Sequence, residues 1–271
     1  NFCWGNTDRP ETLGSLVHAS LVCHNVSVGY GMPFISGKDS LNNEFRPAGE
    51  EPISIPPSLL ISAMGQVPDA GKCVTMDLKD AGNNLYLVGT TKNELGGSHW
   101  ALVRRLGGGT PPSLDIAVAR RTLFAVHEAI DQSLVRACHD LSEGGLAAAA
   151  AEMAFAGDLG ARLWIDAIDL PLDAKQLASL AALPGLSERV VPNIVRLFAE
   201  SNSRFLIEVE PEKCAAFEKI FADAEVPLTQ IGKVTEEKRL VAADGETKLI
   251  DLPIDRLKTV WIKPFDLGND Y

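Results

Sequence analysis

The sequence has 271 residues, 46% hydrophobic and 23% charged, the balance of a soluble globular chain rather than a disordered or fibrous one. Its 25 basic and 36 acidic side chains leave a net charge of −11, which excludes nonspecific binding to a nucleic-acid backbone or an anionic lipid surface. The longest apolar stretch, Leu146 to Ala151, is too short for a membrane span. Any phosphate site must therefore be local, built from backbone N–H groups, a few cations or metal ions. The five cysteines are scattered and never in CxxC spacing, which argues against a disulfide scaffold or zinc site and points to a reducing cytoplasm.

In chain order, the opening Asn1-Phe2-Cys3-Trp4-Gly5-Asn6 has no basic or apolar leader character and reads as the interior of a longer protein. Asp8 and Pro10 mark a helix start, the three-to-four spacing of Leu13, Leu16, Val17, Ser20 and Cys23 carries it to Tyr30, and Gly31 ends it. Pro33 to Ser36 is expected to enter a short strand, followed by Gly37-Lys38-Asp39-Ser40 and an irregular loop from Arg46 to Pro57. Ser58 to Gly65 is expected to be a buried strand. A linker near Val67 to Asp77 separates two expected domains, residues 1–72 and 73–271. In the second, strands are expected at Asn84–Thr90, Val135–Cys138, Arg162–Ile165 and Arg204–Val209, and helices at Asp115–Ser133, Leu146–Ala156 and Pro211–Ala224. The end is expected to form a hairpin, Leu240–Ala243 with Lys248–Leu252, and a short helix near Ile254 to Trp261. The fold class is α/β (α+β): a truncated small unit followed by a complete larger one.

Two segments share one design, a short apolar strand leading to a turn that holds glycine, aspartate and serine. In the first, Gly37 lets backbone N–H groups approach an anion without a Cβ in the way, Lys38 neutralises a phosphate, Asp39 holds a divalent cation and Ser40 donates to a substrate oxygen. The frame of a Walker A loop is absent, and the same residues also read as a surface turn with Asx and Ser capping. In the second, Val135 to Gly145, the turn enters a helix with Ser142 as its N-cap, a position that favours a phosphate, and Asp140 brings a magnesium ion with it. An ordinary strand-to-helix connection, with Gly144 and Gly145 allowing tight packing, reads equally well. His139 has the profile of a structural histidine, and Glu200-Ser201-Asn202-Ser203-Arg204, ahead of a strand, reads as a solvated loop or as a loop near the site.

Phe34-Ile35-Ser36-Gly37-Lys38-Asp39-Ser40-Leu41-Asn42-Asn43-Glu44 closely resembles a signature of the phosphoribosylformylglycinamidine synthase family of purine biosynthesis. His139-Asp140-Leu141-Ser142-Glu143-Gly144-Gly145-Leu146 resembles its second signature, and Glu94 to Ser98 and Phe198 to Ser201, followed by Arg204-Phe205, match in type and order. The likeness runs along essentially the whole chain. It implies an aminoimidazole-ribonucleotide-synthetase-like fold and the C-terminal half of an ATP-dependent carbon–nitrogen ligase, which converts formylglycinamide ribonucleotide to its amidine with glutamine-derived ammonia. The γ-phosphoryl group of ATP activates the amide oxygen in that chemistry, with Mg2+ as cofactor. The implied partners are the missing N-terminal synthetase half, which carries the catalytic histidines, a glutamine amidotransferase subunit, a small bridging subunit and the phosphorylated ribonucleotide.

Carried over by position, Gly37 touches ATP, Lys38 stands in the place of a magnesium or phosphate contact, and Ser40 contacts substrate. Asp140 and Ser142 resemble the metal and nucleotide contacts of an auxiliary site. Leu21 departs from the pattern, standing where an acidic metal ligand is expected with Asn25 one turn later, and an aliphatic side chain cannot coordinate magnesium. Lys38, as a cation, serves a phosphate and not a metal. A structural and nucleotide-binding scaffold is the alternative role. Another enzyme of the same ATP-dependent superfamily fits the run from Gly37 to Asn43 less well.

Overall fold

Proline at the first turn of a helix loses no hydrogen bond, because the first N–H groups have no intrahelical acceptor, and Pro10 opens helix α1 (Pro10–Tyr30) in this way. Gly31 closes it at φ 69°, a left-handed cap whose N–H reaches the carbonyls of Ser27 and Val28. The computed structural model describes residues 1–171 and 191–263, and the chain divides into two units, Asn1–Pro68 and Asp69–Tyr271. The boundary expected from the sequence stood after Lys72.

In the first unit, strand β1 (Phe2–Cys3) lies between β2 (Asp39–Ser40), parallel to it, and β5 (Ser58–Leu59), antiparallel to it. A separate pair joins β3 (Glu44–Phe45) to β4 (Ile53–Ser54). Trp4 is buried and its indole N–H donates to Ser15 Oγ on α1 at 2.8 Å, while Glu44 accepts from the Asn6 N–H at 2.9 Å and pairs with Arg9. Two expectations fail here. Pro33–Ser36 is not a strand; the strand is the aspartate and serine of the motif itself, because β1 offers its ladder there, Phe2 N–H donating to Lys38 O at 2.9 Å and Trp4 N–H to Ser40 O at 2.8 Å. Ser58–Gly65 is not a buried strand: the strand ends at Leu59, and Leu60, Ile61 and Met64 are exposed. β1 is two residues long, and the last backbone bonds between the two segments are those that Leu60 exchanges with Asn1, its N–H donating to Asn1 O at 3.0 Å and its carbonyl accepting from the Asn1 amino group at 2.8 Å. Only Cys23 of α1 is buried.

The second unit is built on a seven-stranded sheet. Its strands are β6 (Asn84–Val88), β7 (Ala137–Asp140), β8 (Gly160–Trp164), β9 (Phe205–Val209), β10 (Leu228–Thr235), β11 (Arg239–Asp244) and β12 (Thr247–Pro253), in the order β12-β11-β8-β10-β6-β9-β7. The β8–β11 pair is parallel and the other neighbours antiparallel. Every residue of β6 is buried because side chains alternate between two cores. Leu85 and Leu87 join the core that contains helix α4 (Gly145–Gly157) and the last helix, α7 (Ile254–Ile262). Tyr86 and Val88 join the core that contains α3 (Ile116–Asp131) and α6 (Cys214–Asp223). Among the described residues the remaining α-helices are α2 (His99–Val103) and α5 (Val191–Phe198).

The alanines of α4 let it lie close to the sheet: Leu146, Ala149, Ala150, Met153 and Ala154 are all buried, and each large one contributes about 1.5–3 kcal/mol by burial. A Cβ at Gly157 would sit 2.2 Å from the Leu78 carbonyl oxygen, so this approach requires glycine. Asp115 accepts from the Val118 N–H at 3.0 Å and caps α3. Strand β7 lies two residues beyond the Val135–Cys138 expected, because its pairing partners in β9 are Phe205 to Glu208. This puts His139 and Asp140 at the end of a strand rather than in a turn. No helix among the described residues is long and apolar enough to cross a membrane.

Candidate functional site

The six residues singled out in the sequence fall into two groups, one in each unit. In the first, Gly37, Lys38 and Asp39 are exposed and Ser40 is half-buried. Gly37 has no left-handed φ, and a Cβ built on it meets nothing within 4 Å, so the glycine supplies uncovered backbone rather than a tight turn. Lys38 Nζ donates to Ser40 Oγ, and the Lys38 and Ser40 carbonyls are consumed by the ladder to β1. The cation and the hydroxyl therefore stand together at an open surface. Leu21, on α1, is also exposed.

The second group lies where β6 and β7 end and β9 begins. Asp140 closes β7 with its side chain 62% exposed, and the Ser142 hydroxyl donates to Asp140 Oδ2. That bond, with a smaller contribution from His139, holds the Asp140 carboxyl below the usual carboxylate range, so it is ionised at neutral pH. Ser142 is therefore not the N-cap of α4. The cap is Gly144, at φ 80°, which has no side chain to satisfy the N–H groups that open the helix. A residue from another loop does so: Glu200 Oε1 accepts from the Gly144 N–H at 2.8 Å and from the His99 N–H at 2.8 Å, at the start of α2. Gly145, at φ 62°, gives the room, since a Cβ there would meet the Ala199 carbonyl oxygen at 2.5 Å. The N–H groups expected to await a phosphate here are in part taken by a carboxylate of the chain itself.

The Glu200–Arg204 loop, expected to be either a loop near the site or simply solvated, lines the site: Asn202 is exposed, Glu200 and Ser203 are half-buried, and the other two residues lie inside. Ser201 and Arg204 are each 1% exposed. Arg204 donates from Nε to Ser201 O at 3.1 Å, from Nη1 to Thr91 Oγ1 at 2.9 Å and from Nη2 to Ala199 O. Burial lowers its pKa to about 10, opposed by nearby Glu94, which leaves it charged at neutral pH. Glu94 is buried and accepts through Oε1 from the Ser113 N–H at 3.0 Å and the Ser113 hydroxyl at 2.6 Å, and its Oε2 has no hydrogen-bond partner among the described residues.

These loops surround a cleft of about 420 Å³ whose polar lining includes Asp140, Ser142, Glu143, Glu200, Asn202 and Arg204. The only cation among its lining residues is Arg204, which is buried with each of its three nitrogens bonded to the protein, at Ser201, Thr91 and Ala199, so the negative charge of a ligand would be met chiefly by an ion that accompanies it. Beside it, burial pushes the Cys138 thiol up to about 12, which removes it as a nucleophile at neutral pH. No cluster of three or more metal-ligating side chains occurs among the described residues. Glu200 and Arg204 are cleft residues whose individual roles residue type alone does not reveal; the signal for them in the sequence is the run of polar residues immediately before an apolar strand.

Solved structures similar to this chain include Thermotoga maritima PurL complexed with ATP, at 20% identity and a TM-score of 0.52, over 69% of this chain and 27% of that one. T. maritima PurL complexed with FGAR matches at 19% identity with a TM-score of 0.56, over 69% of this chain and 30% of that one. PurLQS from T. maritima matches at 19% identity with a TM-score of 0.53, over 68% of this chain and 27% of that one. These likenesses show the fold. Among curated proteins, the phosphoribosylformylglycinamidine synthase subunit PurL of Caldanaerobacter subterraneus is 32% identical over 95% of this chain and 32% of its own. That of Synechocystis is 33% identical over 94% of this chain and 32% of its own. The chain thus spans about a third of the length of these relatives. Residues 80–245, most of the second unit, match the family model described as AIR synthase related protein, C-terminal domain, and the chain belongs to that family.

Proposed function

We propose that this chain is the C-terminal synthetase-like portion of a phosphoribosylformylglycinamidine synthase subunit, part of an ATP-dependent carbon–nitrogen ligase of purine biosynthesis. Residues 1–72 are then part of its small domain and 73–271 its larger one. The observation that carries the reading is the 32% identity to PurL along 95% of the chain. The substrate of the whole enzyme is formylglycinamide ribonucleotide. Its partners are the rest of the synthetase, a glutamine amidotransferase subunit and a small bridging subunit, assembled in the cytoplasm.

The residues present fit a nucleotide with magnesium in a limited way. Asp140 is ionised and open to the cleft, and a site with so few carboxylates suits Mg2+, which keeps several waters and takes phosphate oxygens as further ligands. Asp140 and Ser142 would hold it, and in the small unit Asp39 would hold a second ion. Bound ATP supplies the phosphoryl group that activates an amide oxygen. The part of this chain is positioning and charge: Lys38 meets phosphate charge, the uncovered backbone at Gly37 admits a phosphate closely, and Ser40 donates to the substrate.

The test is made in the full-length subunit assembled with its partners. Ser40→Ala is expected to lower kcat/KM at least tenfold with Tm unchanged, whereas Ser142→Ala lowers nucleotide occupancy. Unaltered kcat/KM in Ser40→Ala, with only a lowered Tm in Ser142→Ala, would leave this portion a scaffold.

A further inference from the structure

Asp140 is supported from behind as well as from the Ser142 side. Its Oδ1 lies 3.5 Å from His139 Nδ1, and the opposite ring nitrogen, Nε2, is 2.9 Å from Glu152 Oε2 on α4. The other oxygen of Glu152 accepts from Trp261 Nε1 at 2.9 Å. Trp261 belongs to α7, and its ring lies against Phe155 of α4 with centroids 5.7 Å apart. The His139 and Glu152 side chains are 17% and 26% exposed, so the middle of this succession is sheltered between a half-exposed Trp261 and a carboxylate that is 62% exposed.

We propose that Glu152, fixed by Trp261, is a positioning residue that orients His139 and through it the Asp140 carboxylate at the cleft. An exposed aspartate on its own samples several rotamers, and a ligand must collect it from all of them. The imidazole lies between two carboxylates, Nε2 at hydrogen-bond distance from Glu152 and Nδ1 at 3.5 Å from Asp140. Flipping the ring would put carbon atoms against both carboxylates, and turning it away would strip Glu152 of its partner. The carboxylate of Glu152 is restrained in turn, because Trp261 donates to its second oxygen and rests its own ring against Phe155. Packing between α4 and α7 is thereby transmitted to the position of one carboxylate. Groups of this kind, which touch a ligating residue and not the ligand, commonly alter metal affinity by about 10- to 100-fold when removed. The proposal rests on reading Asp140 as the cation contact of the cleft.

The experiment uses the full-length subunit and Mn2+ alone as probe, with the metal dissociation constant read from the EPR signal of free Mn2+ and the His139 ring nitrogens read by ¹⁵N NMR. Asp140→Asn is expected to abolish binding at this site. Glu152→Gln is expected to weaken it about tenfold and to shift the His139 nitrogens. Trp261→Phe, which keeps the ring contact to Phe155, is expected to give a smaller change in the same direction, and it stands in if Glu152→Gln does not fold. An unchanged dissociation constant and unchanged His139 signals in Glu152→Gln, whatever its Tm, would overturn the positioning role. If Asp140→Asn binds Mn2+ as the wild type does, the reading of Asp140 fails instead. The nitrogen spectra then decide: shifts in both Glu152→Gln and Asp140→Asn sustain the pair, and their absence ends it.

Discussion

Lys38 and Arg204 are both cations beside a candidate turn, and they are used in opposite ways. Lys38 stands at the surface of the small unit with its ammonium on the hydroxyl of Ser40, two residues away. Arg204 lies beneath the turns of the large unit, 1% exposed, with its donors directed at Ser201, Thr91 and Ala199. The first turn is held by almost nothing except its ladder to β1 and keeps its cation available. The second is held by its surroundings and has no cation to spare. Substitutions in the large unit should therefore register first in stability, and those around Gly37 only in what the surface binds.

The sharpest test of the contrast is Arg204→Ala. It strips a buried hydroxyl and two buried carbonyls of their donors at once, and urea unfolding should show a loss of about 3–5 kcal/mol. A loss under about 1 kcal/mol would place the large-unit turn on the same footing as the small one. Glu200→Ala should follow at about 1–3 kcal/mol, since the N–H groups of Gly144 and His99 both lose a charged acceptor; hydrogen exchange at those two amides should rise with it.

Ser142→Ala is smaller and depends on pH. The Asp140 carboxyl titrates lower folded than unfolded, with Ser142 the largest cause, so the contribution is complete above the ordinary carboxylate value of about 4 and disappears as pH falls through the folded one. With the carboxylate 62% exposed, solvent screening keeps it under about 1 kcal/mol. Tm curves of wild type and variant should therefore separate at neutral pH and converge in acid. Least of all, Gly37→Ala should change stability by no more than about 0.5 kcal/mol, because its Cβ meets nothing and its φ is not left-handed.

Much of the fold was legible where its signals were local: in the small unit Pro10 and Gly31 bounded α1, and in the large one Asp115 began α3 and the alanine run of α4 announced a helix pressed on a sheet. The small unit was misread where an apolar run was used as evidence for a buried strand. The apolar run after Ser58 has the composition of a strand, but a strand exists only where a partner takes its backbone bonds, and β1 is two residues long. At the large-unit turn, Asp140 and Ser142 were picked out by residue type, whereas Glu200 was not, because it acts on Gly144 across 56 positions of sequence. Ser142 was misassigned as a cap for a related reason. Serine ahead of an apolar run is the usual signal of a helix start, yet the pair of glycines moved the first helical residue to 145 and freed the hydroxyl for Asp140.

The guanidinium under the second turn carries a consequence for how this protein can drift. Its planar fork sends N–H groups in several fixed directions, whereas a lysine at 204 would present one small ammonium that cannot reach Ser201, Thr91 and Ala199 together. A change that preserves charge would therefore still open the loop, and neighbouring positions can vary only in ways that leave those three oxygens where they are. One interior cation thus narrows the sequences open to a stretch that, by its polarity, has the look of unconstrained surface.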